Sequence, residues 1–199
     1  VYLATGEDKI LGFDIPKQRR VFYLNFELSN DEFNRRHRKI ASEIGENHFL
    51  KNFNFNVVGN KKGLFEDNWG RIIETIENSY PYDLIIVDNL YASTDVNDEK
   101  NFELKKILRK ITEVANVNGS AVLLVTHHRK HHPEENLSLH LVRGGSTLTN
   151  AMDMVLQVGR SLQDNELRYL TITKNRYYSP NMNKALGMRL DQDTLLFEN

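Results

Sequence analysis

The chain has 199 residues, of which 40% are hydrophobic and 27% charged, with a formal net charge of −1 and no cysteine. This composition is typical of a globular domain rather than a disordered chain. The absence of cysteine excludes disulfides and thiolate metal sites and favours a cytoplasmic protein. No apolar run approaches the roughly 20 residues that a membrane span requires, so no membrane partner is expected. The overall charge is near neutral, so only local basic patches would contact nucleic acid.

The first part of the chain alternates strand and helix patterns. In chain order, the predicted elements are a strand at Val21–Phe26, a helix from Ser29 to about Ile44, a strand at Asn54–Val58 and a helix at Leu64–Tyr80. The first strand is a short apolar run with aromatic and β-branched residues. Glu32 lies three residues after Ser29, which is a capping-box pattern for the start of a helix. Pro81 would end the second helix.

The middle of the chain predicts two buried strands around a long helix. Leu84–Val87 and Ala121–Val125 are continuous apolar runs, typical of strands that are covered on both faces of a parallel sheet. Between them lies an amphipathic helix that Asn118-Gly119 would close. Its predicted buried stripe consists of Phe102, Leu104, Ile107, Leu108, Ile111, Val114 and Ala115.

After these strands, a polar loop rich in histidine and charge is predicted up to about Gly145. The remaining predicted strands are Met154–Val158, Tyr169–Thr173, Gly187–Leu190 and Leu195–Phe197. The last two would form an antiparallel pair around Asp191-Gln192-Asp193. Strands that alternate with helices predict an α/β fold with a mainly parallel sheet. We see no repeat or linker, so residues 1–199 are interpreted as one domain.

Polar residues follow the predicted strands of the parallel sheet. Glu27 follows the first strand, Asp88-Asn89 the third and Thr126-His127-His128 the fourth. Ligands of open parallel sheets bind at the carboxyl ends of the strands. There, Asp88 could hold a Mg²⁺ ion through water, and Glu27 could act as a general base toward a water molecule. Two alternatives remain: a strand end can be polar because it reaches solvent, and Glu27 can be an acid favoured at a helix N-terminus.

Several segments, in the same order, resemble those of RecA-fold replicative helicases of the RepA and DnaB types. Asn25–Ser29 resembles the segment with the catalytic glutamate, Asp83–Leu90 the Walker B segment, Val125–Lys130 the RepA-type sensor, Leu141–Ser146 and Ala151–Leu156 the DNA-loop region with its following strand, and Thr173–Arg176 the Lys-Asn-Arg segment. The order and spacing agree from Ala4 almost to the C-terminus.

This resemblance implies a RecA-like three-layer fold with a C-terminal antiparallel hairpin. It also implies an ATP-dependent motor that acts on single-stranded DNA as a homo-oligomer, in a hexameric ring. Glu27 would be the general base. Asp88 would hold Mg²⁺ through water, and Asp88 and Asn89 would lie at the bound nucleotide.

The resemblance implies roles for residues of the second half as well. His127 or His128 would sense the γ-phosphate and couple it to the DNA loops. Lys174 and Arg176 would reach the nucleotide of the neighbouring subunit, where a cation stabilises transition-state charge. On the residues alone, these two could equally be exposed cations after a strand. The cations that suit phosphate contacts to single-stranded DNA are Arg129, Lys130 and Arg143.

One expected motif is missing from the 199 residues. The family binds phosphates with a Gly-rich loop that ends in Gly-Lys-Ser or Gly-Lys-Thr, and no such run occurs. Gly59–Gly63 has a different pattern and follows a different strand. Since Leu3–Gly6 resembles the segment just after the phosphate loop and its helix, we expect that loop upstream of Val1, in a truncated chain. The alternative is a natural protein that has lost nucleotide binding.

Two other functions stay open on the sequence. One is a non-catalytic RecA-like module for assembly or regulation, and the other is a RecA-like recombination or signalling ATPase. A metal site is also conceivable at the histidine cluster, although adjacent residues at a strand end face opposite ways. The cluster consists of His127, His128, His131 and His132.

Overall fold

A computed structural model of the chain describes residues 2–5, 9–11, 13–44, 53–57, 69–78, 81–91, 101–130, 132, 135–177, 182 and 184–198. The chain divides into two compact units. The first comprises Val1–Asn97 and Lys106–Thr126, and the second comprises Asp98–Lys105 and His127–Asn199. No helix in these ranges has the length and apolar character needed to cross a bilayer.

The first unit is built on a four-stranded parallel sheet with the order β4-β3-β5-β6. A short antiparallel pair, β1 and β2, precedes it. The elements in chain order are α1 (Tyr2–Thr5), β1 (Lys9–Ile10), β2 (Phe13–Asp14), β3 (Val21–Asn25), α2 (Asn30–Ile44), β4 (Phe53–Val57), α3 (Trp69–Glu77), β5 (Leu84–Asp88), α4 (Asn101–Asn118) and β6 (Ala121–Leu124). The predicted parallel α/β arrangement is therefore confirmed, and most of α4 belongs to this unit.

Helices cover both faces of this sheet. Val21 of β3 is 1% exposed and packs with Ala41 of α2, and the neighbouring side chains of β3 and β5 join this cluster. Residues of opposite parity point to the other face, toward α3 and α4. The side chains that line the apolar space there are Leu24, Ile72, Ile76, Ile85, Val87, Ile111 and Val114. This is the three-layer arrangement that the sequence resemblance implies.

The second unit contains a four-stranded antiparallel sheet with the order β10-β9-β8-β7. Its elements are a 3₁₀ helix (Leu139–Leu141), α5 (Gly145–Ala151), β7 (Met154–Arg160), β8 (Leu167–Asn175), β9 (Ala185–Leu190) and β10 (Phe197–Glu198). The predicted C-terminal hairpin is confirmed as β9 and β10, and it forms one edge of this larger sheet. The sequence prediction missed the 3₁₀ helix and α5, which follow the histidine-rich segment.

Two predictions about burial were wrong. Phe102 is 69% exposed, because it lies on the face of α4 that also carries the exposed Lys106 and Arg109 rather than on the buried stripe. The run Ala121–Val125 is not covered on both faces, since Leu123 is 41% exposed. β6 is the outermost strand of the parallel sheet and has a single neighbouring strand among the described residues. Its apolar run therefore does not indicate that both faces of the strand are covered.

Candidate active site

A buried asparagine shapes the chain where β3 ends. Asn25 is 0% exposed, and its side-chain amide donates to the carbonyl of Leu28 at 2.8 Å. The backbone N–H of Leu28 donates back to Oδ1 of Asn25 at 3.1 Å. Asparagine side chains that bond nearby backbone groups in this way stabilise tight turns. The turn lifts Glu27, between these two residues, to the protein surface, where it is exposed.

The end of β5 lies directly beside this turn. Asp88 is paired with Asn25 in the parallel register, and its carbonyl accepts a hydrogen bond from the backbone N–H of Phe26 at 2.6 Å. Asn89 and Leu90, which follow, are 3% and 0% exposed. The N–H of Leu90 donates to the carbonyl of Val125, after β6, at 2.9 Å. The carboxyl ends of three strands are therefore tied together, as the sequence predicts for this sheet edge.

Side chains from opposite strands hold the two acids. Nδ2 of Asn89 donates to Oε2 of Glu27 at 2.8 Å, and the hydroxyl of Tyr23 donates to Oδ2 of Asp88. Tyr23 is two residues before Asn25, so strand parity puts it on the same face of the sheet as Asp88. Burial raises the pKa of Tyr23, and the hydrogen bond to Asp88 raises it further, so the phenol stays a hydrogen-bond donor.

The pair of acids suits Mg²⁺ chemistry of a particular kind. No group of three His, Cys, Asp or Glu side chains in the described ranges could hold a metal by itself. Mg²⁺ usually keeps several waters and binds through one or two carboxylates together with substrate phosphates. Asp88 fits that mode as a carboxylate at the strand end, and Glu27 is an exposed carboxylate beside it that can accept a proton from water.

The predicted sensor histidines lie in the second unit. His127 is exposed, and His128 is partly buried and forms an antiparallel bridge with Val142. The N–H of Arg143 donates to the carbonyl of His127 at 3.2 Å, and the N–H of Arg129 donates to the carbonyl of Leu141 at 2.7 Å. The segments His127–Arg129 and Leu141–Arg143 are thus paired, and they form the base of a loop that includes the described residues 135–138. Of the histidine cluster, His131 lies outside the described residues, and the remaining members form no metal group there.

The loop base carries the candidate DNA-binding cations. Arg129 and Lys130 are exposed and Arg143 is partly buried. Gly145 has φ +55°, and a Cβ at this position would lie 3.0 Å from a guanidinium nitrogen of Arg129. Glycine here both permits the left-handed backbone and leaves room for the arginine. The structure therefore brings Arg129 and Arg143 onto the two paired segments of one loop.

Lys174 and Arg176 lie at the end of β8 and contact the C-terminal end of α5. Nζ of Lys174 donates to the carbonyl of Thr149 at 2.6 Å, and Nη2 of Arg176 donates to the carbonyl of Asn150 at 2.6 Å. Nη1 of Arg176 also pairs with Asp153 at 3.0 Å. Cations are favoured at the carbonyl end of a helix. Both residues therefore have a local structural role within the chain. Their role toward a neighbouring subunit stays a prediction.

Sequence reasoning missed two residues of these sites, Tyr23 and Gln157. No local signal marks Tyr23, because it shares a sheet face with Asn25 and Asp88 only once the strands are paired in their register. Gln157 is 2% exposed and contacts His128. Its signal was a single amide side chain inside the apolar run of β7.

A family profile described as an AAA domain matches residues 1–133, which include Glu27, Asp88 and both candidate sensor histidines. The chain belongs to the AAA domain family. No curated protein matches this AAA domain.

Solved structures with the same fold include a recombinase, an ATPase domain and a replicative helicase. The RadB recombinase has a TM-score of 0.62 at 16% identity, and the match covers 91% of this chain and 79% of the recombinase chain. A solved ATPase domain has a TM-score of 0.68 at 13% identity, and the match covers 91% of this chain and 74% of that chain. A DnaB-like replicative helicase has a TM-score of 0.69 at 13% identity, and the match covers 91% of this chain and 50% of the helicase chain. The fold of this AAA domain is therefore RecA-like.

Proposed function

We propose that this AAA domain is the body of a Mg²⁺-dependent ATPase that works as a DNA motor of the replicative-helicase kind. The observation that carries the proposal is the pair of acids at the ends of adjacent parallel strands, with Asn89 bonded to Glu27 at 2.8 Å and Tyr23 bonded to Asp88. The likeness of the fold to the solved ATPase domain and to a DnaB-like helicase supports it. These 199 residues contain no Gly-Lys-Ser or Gly-Lys-Thr run, so the proposal assigns no residue to phosphate binding.

In this proposal the two acids have different roles. Glu27 accepts a proton from the water that attacks the γ-phosphate, and Asn89 fixes the orientation of its carboxylate. Asp88 would hold Mg²⁺ through water, and Tyr23 donates a hydrogen bond to one of the carboxylate oxygens of Asp88. Mg²⁺, when bound, neutralises charge on the phosphates.

We further propose that hydrolysis occurs between subunits of a ring, for which we expect six copies. Lys174 and Arg176 would reach the nucleotide of the neighbouring subunit. Arg176 is about half exposed, with 52% of its side-chain surface accessible, so its guanidinium can be reached from outside the chain. His127 or His128 would sense the γ-phosphate. The cations that would contact the backbone of single-stranded DNA are Arg129, Lys130 and Arg143.

The direct test is the ATPase rate of the full-length protein with and without single-stranded DNA. Glu27→Gln keeps the size of the side chain and removes the base, so the rate should fall ~10²–10⁴-fold. Glu43→Gln is the matched control, because Glu43 is an exposed acid on α2, away from the strand ends. Equal rates for wild type, Glu27→Gln and Glu43→Gln would remove the general base from the proposal.

The role of Arg176 between subunits can be separated from its local role by mixing variants. Glu27→Gln and Arg176→Ala subunits should each be inactive alone, while mixed oligomers contain some interfaces with both residues intact and should regain activity. A mixture that stays inactive would place both residues in the same site of one subunit. Asp153→Asn is the control, because it removes the local ion pair with Arg176 but leaves the guanidinium in place.

Two alternative functions give different results in these assays. A non-catalytic assembly module would form oligomers and show no nucleotide turnover in the wild-type full-length protein. A recombination ATPase, which the likeness to the RadB recombinase favours, would hydrolyse ATP and promote strand exchange but not unwind duplex DNA.

A further inference from the structure

A buried glutamine links the candidate sensor histidine to the loop beside it. Gln157 lies on β7 and is 2% exposed, although its neighbours Leu156 and Val158 on the strand are 46% and 48% exposed. Its amide nitrogen Nε2 lies 3.1 Å from the carbonyl oxygen of Ser138 and 3.2 Å from Nε2 of His128. A polar side chain is buried at a cost unless it makes hydrogen bonds, so these two contacts define the position of Gln157.

The carbonyl of Ser138 decides which way the amide of Gln157 faces. A carbonyl oxygen can only accept a hydrogen bond, so the group facing it must be the NH₂ of the amide. The opposite orientation would place two acceptors, Oε1 of Gln157 and the carbonyl oxygen of Ser138, against each other. In the adopted orientation, Oε1 of Gln157 is buried and has no hydrogen-bond partner among the described residues. The orientation of the amide is therefore determined by the two groups that face Nε2, the carbonyl of Ser138 and the ring of His128.

The orientation of the amide then determines the protonation of the histidine ring. The NH₂ of Gln157 has two hydrogens, one for Ser138 and one for His128. The ring nitrogen that receives the second hydrogen must offer a lone pair, so Nε2 of His128 carries no hydrogen. A neutral imidazole has one N–H and one acceptor nitrogen, so the hydrogen of His128 must be on Nδ1.

We propose that Gln157 is a positioning residue that holds His128 as the neutral Nδ1–H tautomer and joins it to the loop through Ser138. The tautomer follows from the contacts alone. Its consequence rests on the proposed function: a histidine that senses a phosphate must offer an N–H, and Gln157 leaves that N–H on Nδ1. The same NH₂ group also donates to the carbonyl of Ser138. A rotation of the His128 ring or a shift of the loop at Ser138 would therefore each change a hydrogen bond of Gln157.

The place of Ser138 in the loop makes this coupling specific. Ser138 immediately precedes the 3₁₀ helix Leu139–Leu141, and its carbonyl also accepts the N–H of Leu141 at 3.1 Å. Leu141 in turn accepts the N–H of Arg129, beside His128, at 2.7 Å. Gln157 therefore closes a ring of hydrogen bonds that contains the sensor histidine and a candidate DNA-binding arginine.

The tautomer can be measured without any assumption about function. The protein is labelled with ¹⁵N at its histidines, and long-range ¹H–¹⁵N spectra show which ring nitrogen of each histidine is protonated. The signals of His128 are identified by their loss in His128→Asn. We expect the Nδ1–H pattern in the wild type, and an Nε2–H or doubly protonated ring for His128 would overturn the proposal without any variant of Gln157.

Two substitutions of Gln157 test the cause. Gln157→Met keeps the length of the side chain but removes both donors, so the preference for Nδ1–H should be lost. Gln157→Glu replaces the donor with an acceptor, so the hydrogen should move to Nε2 of His128. The control is Gln163→Met, at an exposed glutamine in the turn after β7, which should leave the spectrum of His128 unchanged. An unchanged pattern in both Gln157 variants would refute the role of the amide.

The coupling to the loop has its own readout, the ratio of ATPase rates with and without single-stranded DNA. Gln157→Met should lower this ratio relative to Gln163→Met. A changed tautomer with an unchanged ratio would overturn the coupling. If the full-length wild type shows no ATPase at all, the proposed function fails, whereas the spectra still decide whether Gln157 sets the tautomer of His128.

Discussion

Tyr169 of the antiparallel sheet is flanked by two glycines, and the structure predicts that they respond very differently to substitution. Gly159 on β7 and Gly187 on β9 are both paired directly with Tyr169 of the central strand. A Cβ added to Gly159 would lie well inside van der Waals contact of Cζ of Tyr169. A Cβ added to Gly187 would meet Cδ1 of Leu167 at 3.9 Å, which is ordinary contact. The ring of Tyr169 therefore lies over Gly159.

The size of the effect follows from this geometry. Gly159→Ala must push the tyrosine ring aside, and overpacking of this kind costs ~1–3 kcal/mol in the free energy of unfolding. The cost should fall near the lower end, because the ring can swing toward Gly187. Gly187→Ala meets no clash and restricts the unfolded chain, which stabilises a protein by ~0.4–1 kcal/mol where the backbone is compatible. In the double variant Gly159→Ala/Gly187→Ala, the alanine at position 187 blocks the movement of the Tyr169 ring. The loss in free energy of unfolding should therefore exceed the sum of the two single changes.

Urea unfolding followed by far-UV circular dichroism measures all three variants against the wild type. For a chain of this length, a difference of 1 kcal/mol also corresponds to a shift of ~2–4 °C in Tm. Replacement of Tyr169 by Leu should abolish the difference between the two alanine variants. Equal stabilities for Gly159→Ala and Gly187→Ala, together with additivity in the double variant, would show that the ring does not lie over Gly159.

Three further predictions concern the first unit. Tyr23→Phe removes the donor to Asp88, and a hydrogen bond to a charged group contributes ~1.5–3 kcal/mol. It should therefore lower the free energy of unfolding and raise the Mg²⁺ concentration for half-maximal ATPase activity. An unchanged urea titration together with an unchanged Mg²⁺ titration would contradict this. Burial lowers the pKa of His37 from 6.5 to about 4, so stability should decline as pH falls from 6.5 toward 4 while the unfolded chain takes up the proton; His37→Gln should remove this decline in urea titrations at each pH. The backbone N–H of Arg20 lowers the pKa of Asp83 from 3.8, so this carboxylate contributes stability that is full above pH 3.8 and lost as pH falls further; in Asp83→Asn, acid unfolding should lose that component.

The positions of the strands could be predicted because apolar runs and turn residues are local signals. The runs at Val21–Phe26 and Leu84–Val87 became β3 and β5 with small shifts at their ends. Burial depends on neighbours that are remote in sequence, which is why the prediction that Ala121–Val125 is covered on both faces was wrong. The prediction that Phe102 is buried was wrong for a local reason, since Phe102 lies about half a helical turn away from the buried stripe of α4.

The acids of the candidate site could be predicted, and the groups that hold them could not. Glu27 and Asp88 are conspicuous because each follows an apolar strand. The donor for Glu27 is Asn89, 62 residues away, and the donor for Asp88 is Tyr23, 65 residues away. Both pairs exist only once β3 and β5 lie side by side in their particular register, and no local pattern reports that register.

The chemical nature of these donors separates the candidate site from the structural acids of the same sheet. Asp83, at the start of β5, pairs with the guanidinium of Arg19 at 2.9 Å, and this cation offsets its charge. The described donors to Glu27 and Asp88 include an amide and a phenol, which orient a carboxylate without adding a positive charge of their own. A carboxylate that must attract Mg²⁺ or a proton needs its orientation fixed and its negative charge retained, and neutral donors meet both needs. The exchange of donors between the ends of β3 and β5 adds a further constraint, because a shift of either strand end would disturb both hydrogen bonds.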